Sequence, residues 1–148
     1  MSILRDIFTN HAVLAAALAW TVAQLLKVIL TMIVNRKIDY SRMVGSGGMP
    51  SSHSAMVCAL VTAIGFSEGF DSSVFALAAC FAAVVMYDAA GVRRSTGKNA
   101  AVINHLLDGL VGNGFVFNEE RLQELVGHTP VQVCAGALLG ILIGTLVG

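Results

Sequence analysis

Residues 12–34, AVLAAALAWTVAQLLKVILTMIV, decide the fold of this chain because nearly every side chain in them is apolar. As a helix that rises 1.5 Å per residue, the run is about 34 Å long, enough to cross a hydrocarbon core of about 30 Å. Its alanine-rich start resembles a cleaved signal peptide, but the run continues far beyond a signal's hydrophobic region of about 7–15 residues. The stretch therefore predicts a retained transmembrane helix.

The composition of the chain points to the same environment. Hydrophobic residues make up 56% of the 148 residues and charged residues 12%, about half the charged fraction of soluble domains. The net charge is zero and no basic block occurs, which argues against nucleic-acid binding. Three cysteines lie inside apolar runs without metal-ligand spacing, so we expect packing residues rather than disulfides or a zinc site: Cys58, Cys80 and Cys134.

Three further apolar segments predict three more spans. They cover about Ser54–Phe66, Val74 to about Val92, and Val131–Gly148. Between the last two, KNAAVINHLLDGLV (residues 98–111) collects its apolar side chains on one face, which is typical of an interfacial helix, and a short helix is expected before residue 130. The sequence predicts one domain over residues 1–148, an all-α integral-membrane bundle with about four spans.

The charged residues predict the orientation of this bundle. If four spans alternate, most arginines and lysines share one side, whereas the other side carries Glu68 and Asp71 besides Arg5 and Asp6. By the positive-inside rule the basic side is cytoplasmic and both termini lie outside.

Lys27 lies about two turns inside the first span, on a stripe with Trp20, Gln24 and Thr31. A lone ammonium at this depth costs about 2.5–3.5 kcal/mol on insertion scales unless it reaches the interface or finds a partner. Two interpretations stay open: the lysine extends to the interface, or it points into a polar pocket that holds an anion.

Residues 47–55, GGMPSSHSA, interrupt the apolar pattern on the basic side. Pro50 suits a helix start, and Ser51, Ser52 and Ser54 can cap it. The free amides and partial positive charge of a helix N-terminus form an anion site that suits phosphate. An ordinary capped helix start is the alternative, although capping gives no reason for His53.

Two more polar clusters fall on the same side of the membrane. YDAAGVRRST (residues 87–96) places Asp88, Arg93 and Arg94 where a span ends, and guanidinium groups bind phosphate through paired hydrogen bonds. Because neighbouring helical residues diverge by about 100°, we expect one of the two arginines to face the site. GHTPVQV (residues 127–133) sets His128 ahead of Pro130, which taken alone indicates a capped turn with an incidental histidine.

Together these clusters resemble, over nearly the whole chain, the divergent branch of the phosphatidic acid phosphatase type 2 family, which is related to vanadium-dependent haloperoxidases. The parent pattern is a lysine followed by R-P, then P-S-G-H, then S-R-x5-H-x3-D. The matching residues are Lys27 from AQLLK, Arg42 from YSRM, Pro50, Ser51 and His53 from GGMPSSH, Arg93 or Arg94 from GVRR, and His128 from GHTPVQV.

The resemblance implies a phosphatase that needs neither metal nor cofactor and hydrolyses a lipid phosphate monoester, such as phosphatidate or phosphatidylglycerophosphate. It implies that His128 attacks phosphorus to form a phosphohistidine and that His53 protonates the leaving alkoxide. A lateral opening between spans would admit the lipid tail. The remaining groups would stabilise the phosphate oxygens: Lys27, Arg42, Ser51, Ser52, Arg93 and Arg94.

The chain departs from the parent pattern in three ways. Ser52 replaces the glycine of P-S-G-H, and about thirty residues rather than five separate the arginine pair from His128. Gln132 replaces the aspartate that orients the histidine; its carbonyl can accept the imidazole N–H, but a carboxylate such as Asp88 or Glu124 would have to supply the charge. A non-catalytic protein that binds anionic lipid through the same basic pocket is therefore the alternative, and a transporter or channel subunit is a weaker one.

Glycines recur at four-residue spacing along the last span, at Gly136, Gly140, Gly144 and Gly148. Such a groove allows another helix to approach closely. Its partner is either a span of the same chain or a second copy, which would give a homodimer through Gly136, Gly140 and Gly144.

Overall fold

A computed structural model describes residues 2–35, 48–112, 122 and 127–148. These residues form helices joined by short connections, with no strand among them. The helices are α1 (Ser2–Thr9), α2 (His11–Asn35), α3 (Ser52–Glu68), α4 (Ser73–Ala90), α5 (Val92–Gly112) and α6 (Pro130–Val147). Arg42, Glu124 and most of the segment in which a short helix was expected before Pro130 lie outside the described residues.

The four predicted spans correspond to α2, α3, α4 and α6, and no predicted boundary differs from a helix end by more than two residues. Stretches long and apolar enough to cross a membrane occur at His11–Ile33, Ser73–Leu110 and Pro130–Val147. Helix α3 has 17 residues, shorter than these stretches, and it contacts α2, α4 and α6. The all-α membrane bundle is confirmed, with α3 as its central helix.

Small side chains fill the centre of the bundle. Three alanines of α2 and three of α3 at four-residue spacing have no exposed surface, whereas large side chains such as Leu25 and Ile33 face outward. Apolar surface gains little by leaving lipid, so helices in a membrane associate through close van der Waals contact between small residues. The buried alanines are Ala15, Ala19, Ala23, Ala55, Ala59 and Ala63.

The glycine stripe of α6 packs against α3 within the chain. A Cβ atom at Gly136 would collide with the carbonyl oxygen of Ser51, and a Cβ at Gly140 with that of Ala55. A Cβ at Gly144 would lie 2.6 Å from the Cβ of Thr62. The stripe therefore has an intrachain partner, and a homodimer through the same glycines would first have to displace α3.

This contact also sets α3 and α6 side by side in the same direction, because successive glycines of α6 meet successive turns of α3. The first turns of the two helices consequently lie at the same end of the bundle. The backbone N–H of Ser51 donates to the carbonyl oxygen of Gln132 at 3.0 Å and joins them there.

Helix α5 begins at Val92, six residues before the predicted interfacial helix, with Gly91 between it and α4. Val102, Ile103 and Leu106 stay exposed along it, as expected for a helix whose apolar face lies in the membrane interface. Helix α1 was not predicted. Its eight residues are too few to show an amphipathic pattern that could be distinguished from the start of the first span.

Candidate functional site

The polar clusters predicted from the sequence meet at one end of the bundle, where α2 ends near the starts of α3 and α6. Buried polar side chains concentrate at this end of the described structure. They are Lys27, Ser51, Ser52, Ser54 and His128, each at most 3% exposed.

Lys27 reaches this end through the α2–α3 interface. It follows Ala15, Ala19 and Ala23 at the same four-residue spacing, so the face of α2 that packs on α3 also carries the lysine. The residue is only 2% exposed, which supports the pocket interpretation over extension to the interface. Along the predicted stripe, Gln24 and Thr31 are partly buried and Trp20 is 43% exposed.

Gly48 lies against the aliphatic part of this lysine. Its φ of +86° is one that side-chain-bearing residues rarely adopt, and a Cβ there would lie 3.2 Å from Cγ of Lys27. The chain entering α3 therefore contacts the lysine stem directly.

Ser51 is the N-cap of α3. The backbone N–H of Ser54 donates to Oγ of Ser51 at 3.3 Å, and Oγ of Ser54 donates to the same oxygen at 3.0 Å. The amides of Ser52 and His53 belong to the first turn, where no preceding turn supplies a carbonyl acceptor. These two amides remain to bind an anion at the helix N-terminus.

His128 is held by its backbone against the junction between α4 and α5. Its N–H donates to the carbonyl oxygen of Ala89 at 2.9 Å. The preceding residue, Gly127, has a φ of +91° and packs on the backbone of Arg93 and Arg94. The imidazole is 2% exposed, and neither of its nitrogens has a hydrogen-bond partner within the described parts of the chain.

The His128 ring lies near the His53 ring, with centroids 6.2 Å apart and planes at 75°. Burial, followed by the charges of Lys27, His53 and Arg93, lowers the pKa of His128 to about 4. The imidazole is therefore neutral at pH 7, with a free lone pair on one nitrogen.

The two arginines differ in their electrostatic effect on His128. Arg93 contributes to the positive field at His128, whereas no such effect of Arg94, which is exposed, is found. Nε of Arg93 donates to Oδ2 of Asp88 at 2.6 Å, and both side chains are roughly half exposed. Asp88 is therefore engaged by Arg93, whose two terminal amino groups are not used in that contact.

Gln132 occupies a different position from the one expected. Its side-chain Oε1 accepts the backbone N–H of Thr129 at 3.0 Å, and its backbone N–H donates to Oγ1 of Thr129 at 3.4 Å. This is a capping box, and the expected hydrogen bond from His128 to Gln132 is absent. The sequence carried the signal, since a threonine followed three residues later by glutamine is the pattern of that motif.

Within the described residues, no group of three or more His, Cys, Asp or Glu side chains could hold a metal ion. What converges is a buried ammonium, a guanidinium, two imidazoles and a helix N-terminus. This arrangement suits a tetrahedral oxyanion, because charge and N–H donors reach it from several sides.

Comparison with known proteins shows the family of the chain. The uncharacterized membrane protein YuiD of Bacillus subtilis (strain 168) is 44% identical over 150 aligned positions, which cover 93% of this chain and 94% of the relative. No solved structure matches the chain significantly. A membrane-protein relative and three long apolar stretches indicate an integral membrane protein. The Divergent PAP2 family matches residues 8–143, nearly the full length, and the chain belongs to this family.

Proposed function

We propose that this protein is a membrane phosphatase that hydrolyses a lipid phosphate monoester through a phosphohistidine on His128. The observation that carries the proposal is the state of this side chain. It is buried, its ring nitrogens have no hydrogen-bond partner among the described residues, and its pKa is lowered to about 4. A neutral imidazole that is buried beside cations can attack a bound phosphate, because its lone pair is neither protonated nor hydrogen-bonded to water.

Lys27, the first-turn amides of α3 and Arg93 bind the phosphate in this proposal. Three equatorial oxygens gain charge in the transition state, and donors fixed in a water-poor site stabilise that charge. Arg93 contacts Asp88 through Nε alone, so its terminal amino groups can bind two phosphate oxygens. Arg42 remains an expected further ligand, and it lies outside the described residues.

In the first chemical step a ring nitrogen of His128 attacks phosphorus and the bond to the lipid oxygen breaks. His53 gives its proton to the departing alkoxide. In the second step water attacks the phosphohistidine, His53 takes a proton from that water, and inorganic phosphate leaves. The proximity of the two rings supports this division of roles.

Asp88 acts through Arg93 in this scheme. The carboxylate binds the guanidinium, so its effect on the reaction is to hold the phosphate ligand. Gln132 acts through Thr129, by keeping the start of α6 closed next to His128.

A non-catalytic protein that binds anionic lipid headgroups is the second candidate. It is favoured by one observation: no carboxylate or carbonyl within the described residues accepts a hydrogen bond from the His128 ring. The imidazolium that forms during phosphoryl transfer would then lack the stabilisation that an acid gives it.

Phosphate release separates the two candidates. Purified protein in detergent, with a chelator present, is incubated with phosphatidate, phosphatidylglycerophosphate and a prenyl phosphate. We expect inorganic phosphate from at least one of these lipids and none from the His128→Ala protein. Binding of phosphatidate vesicles without any release would favour the headgroup-binding candidate.

The site end of the bundle is proposed to face the cytoplasm, on the basis of the one-sided basic residues. In a cysteine-free background, single cysteines at Ser72 and Ser95 mark opposite ends. An impermeant reagent added to intact cells should label Ser72→Cys and spare Ser95→Cys. The reverse result would invert the topology.

A further inference from the structure

We infer that Gly127 is a positioning residue that seats His128 against the backbone of Arg93 and Arg94. The inference rests on the proposed function, because it concerns the placement of the proposed nucleophile. Gly127 begins the GHTPVQV cluster but has no side chain of its own to act with.

The contact at Gly127 involves backbone atoms. A Cβ there would lie 2.7 Å from the carbonyl carbon of Arg93 and would collide with the amide nitrogen of Arg94. The residue that follows donates its N–H to the carbonyl oxygen of Ala89. Two adjacent residues are thus fixed to the α4–α5 junction, and neither contact can be relieved by rotating a side chain.

The Gly127 contact connects the part of the chain that carries the nucleophile with the part that carries the cation. Arg93 supplies the guanidinium near the phosphate and His128 supplies the attacking nitrogen, so the Gly127 contact joins the two backbone segments that carry these groups. Catalytic groups need to be held within about 0.5 Å of their productive positions. A displacement of about 1 Å can cost about 10²-fold in rate.

Gly69 provides a matched control. Its φ of +93° resembles that of Gly127, so alanine meets the same backbone strain at both positions. Gly69 lies in the turn between α3 and α4, at the end of the bundle away from the site. There a Cβ meets Oδ1 of Asp71 at 2.8 Å, the end of a side chain that can move away.

The first test compares the steady-state kinetics of Gly127→Ala and Gly69→Ala with nitrophenyl phosphate, whose leaving group needs no proton. We expect kcat of Gly127→Ala to fall by about 10²-fold. KM should change less, since Lys27 and the α3 amides still bind the phosphate. Gly69→Ala should keep the wild-type kcat even where its detergent melting temperature falls. If Gly127→Ala does not fold, Gly127→Asn takes its place, because asparagine adopts positive φ more readily and retains the Cβ.

The second test does not depend on activity. NMR of histidine-labelled protein follows the titration of His128, whose pKa is lowered to about 4 by burial in the native protein. Without the Gly127 contact the imidazole of His128 becomes exposed. Its pKa should therefore rise toward 6.5 in Gly127→Ala and stay low in Gly69→Ala. A wild-type protein that hydrolyses no phosphate removes the proposed function, and this titration then decides alone whether Gly127 seats His128. An unchanged titration in Gly127→Ala, or a kcat equal to that of Gly69→Ala, overturns the inference.

Discussion

Helices α3 and α6 begin with similar residues at the same end of the bundle, yet their histidines stand on opposite sides of the N-cap. Each has a proline and a hydroxyl cap at its start, with Ser51 capping α3 and Thr129 capping α6. In α3 the histidine, His53, follows the cap and belongs to the helix. In α6 the histidine, His128, precedes the cap and lies outside the helix.

In the proposed function, this difference in register separates anion binding from nucleophilic attack. The first turn of α3 keeps amides available beside an imidazole, which makes an anion site. In the first turn of α6 the Thr129–Gln132 capping box uses the free backbone N–H groups of both residues. The backbone N–H of His128, just before this turn, donates to the carbonyl oxygen of Ala89. In the proposed function the histidine inside α3 is the general acid, and the histidine ahead of the α6 cap is the nucleophile.

The largest effect is expected where the two helices touch. Gly140→Leu places a side chain against the Ala55 carbonyl and the Cβ of Cys58, so α6 must separate from α3 and the two first turns part. We expect loss of the folded protein, seen in its detergent melting profile and elution volume. Gly109→Leu is the control, because a Cβ there meets no atom of the described residues within 4 Å. Equal behaviour of the two variants would contradict the α3–α6 contact.

The next effect concerns the charge beside both first turns. Lys27→Met removes a buried ammonium that acts on His128, and loss of a comparable transition-state donor costs about 10²–10³ in kcat. Arg94→Met removes an exposed cation of the same sign and should leave hydrolysis nearly unchanged. Similar losses in both variants would mean that general surface charge, rather than the buried lysine, supports the reaction.

The smallest effect is expected inside the α6 capping box. Gln132→Ala removes one of its two reciprocal bonds and should cost about 1 kcal/mol of stability. Gln132→Glu preserves the box, so melting temperature and turnover should stay close to those of the wild type. A large gain in turnover with glutamate would show that this side chain reaches His128, as the parent pattern first suggested.

The sequence was informative wherever one residue type had a strong physical preference for its surroundings. Hydropathy located the four spans, and the depth of Lys27 in an apolar run pointed to a polar pocket. Pairing between helices could not be predicted in the same way, because the alanines of α2 and α3 gave no single register. The glycine stripe allowed both an intrachain and an intermolecular partner.

Local hydrogen bonding explains the remaining differences. Gln132 matched the position of an aspartate in the parent pattern, but its amide satisfies the nearby Thr129 N–H. The choice between Arg93 and Arg94 depends on how α5 leaves α4 at Gly91, which two adjacent arginines do not reveal. Gly127 gave no signal, since a glycine before a helix fits many turns equally well.

The phosphohistidine on His128 is tested by comparing His128→Ala and His53→Ala on two substrates that differ in their leaving group. We expect His128→Ala to hydrolyse neither phosphatidate nor nitrophenyl phosphate. His53→Ala should lose phosphatidate hydrolysis and keep nitrophenyl phosphate hydrolysis, because nitrophenolate leaves without a proton. Full activity of His128→Ala on either substrate would contradict the phosphohistidine mechanism and leave headgroup binding as the better explanation of the site.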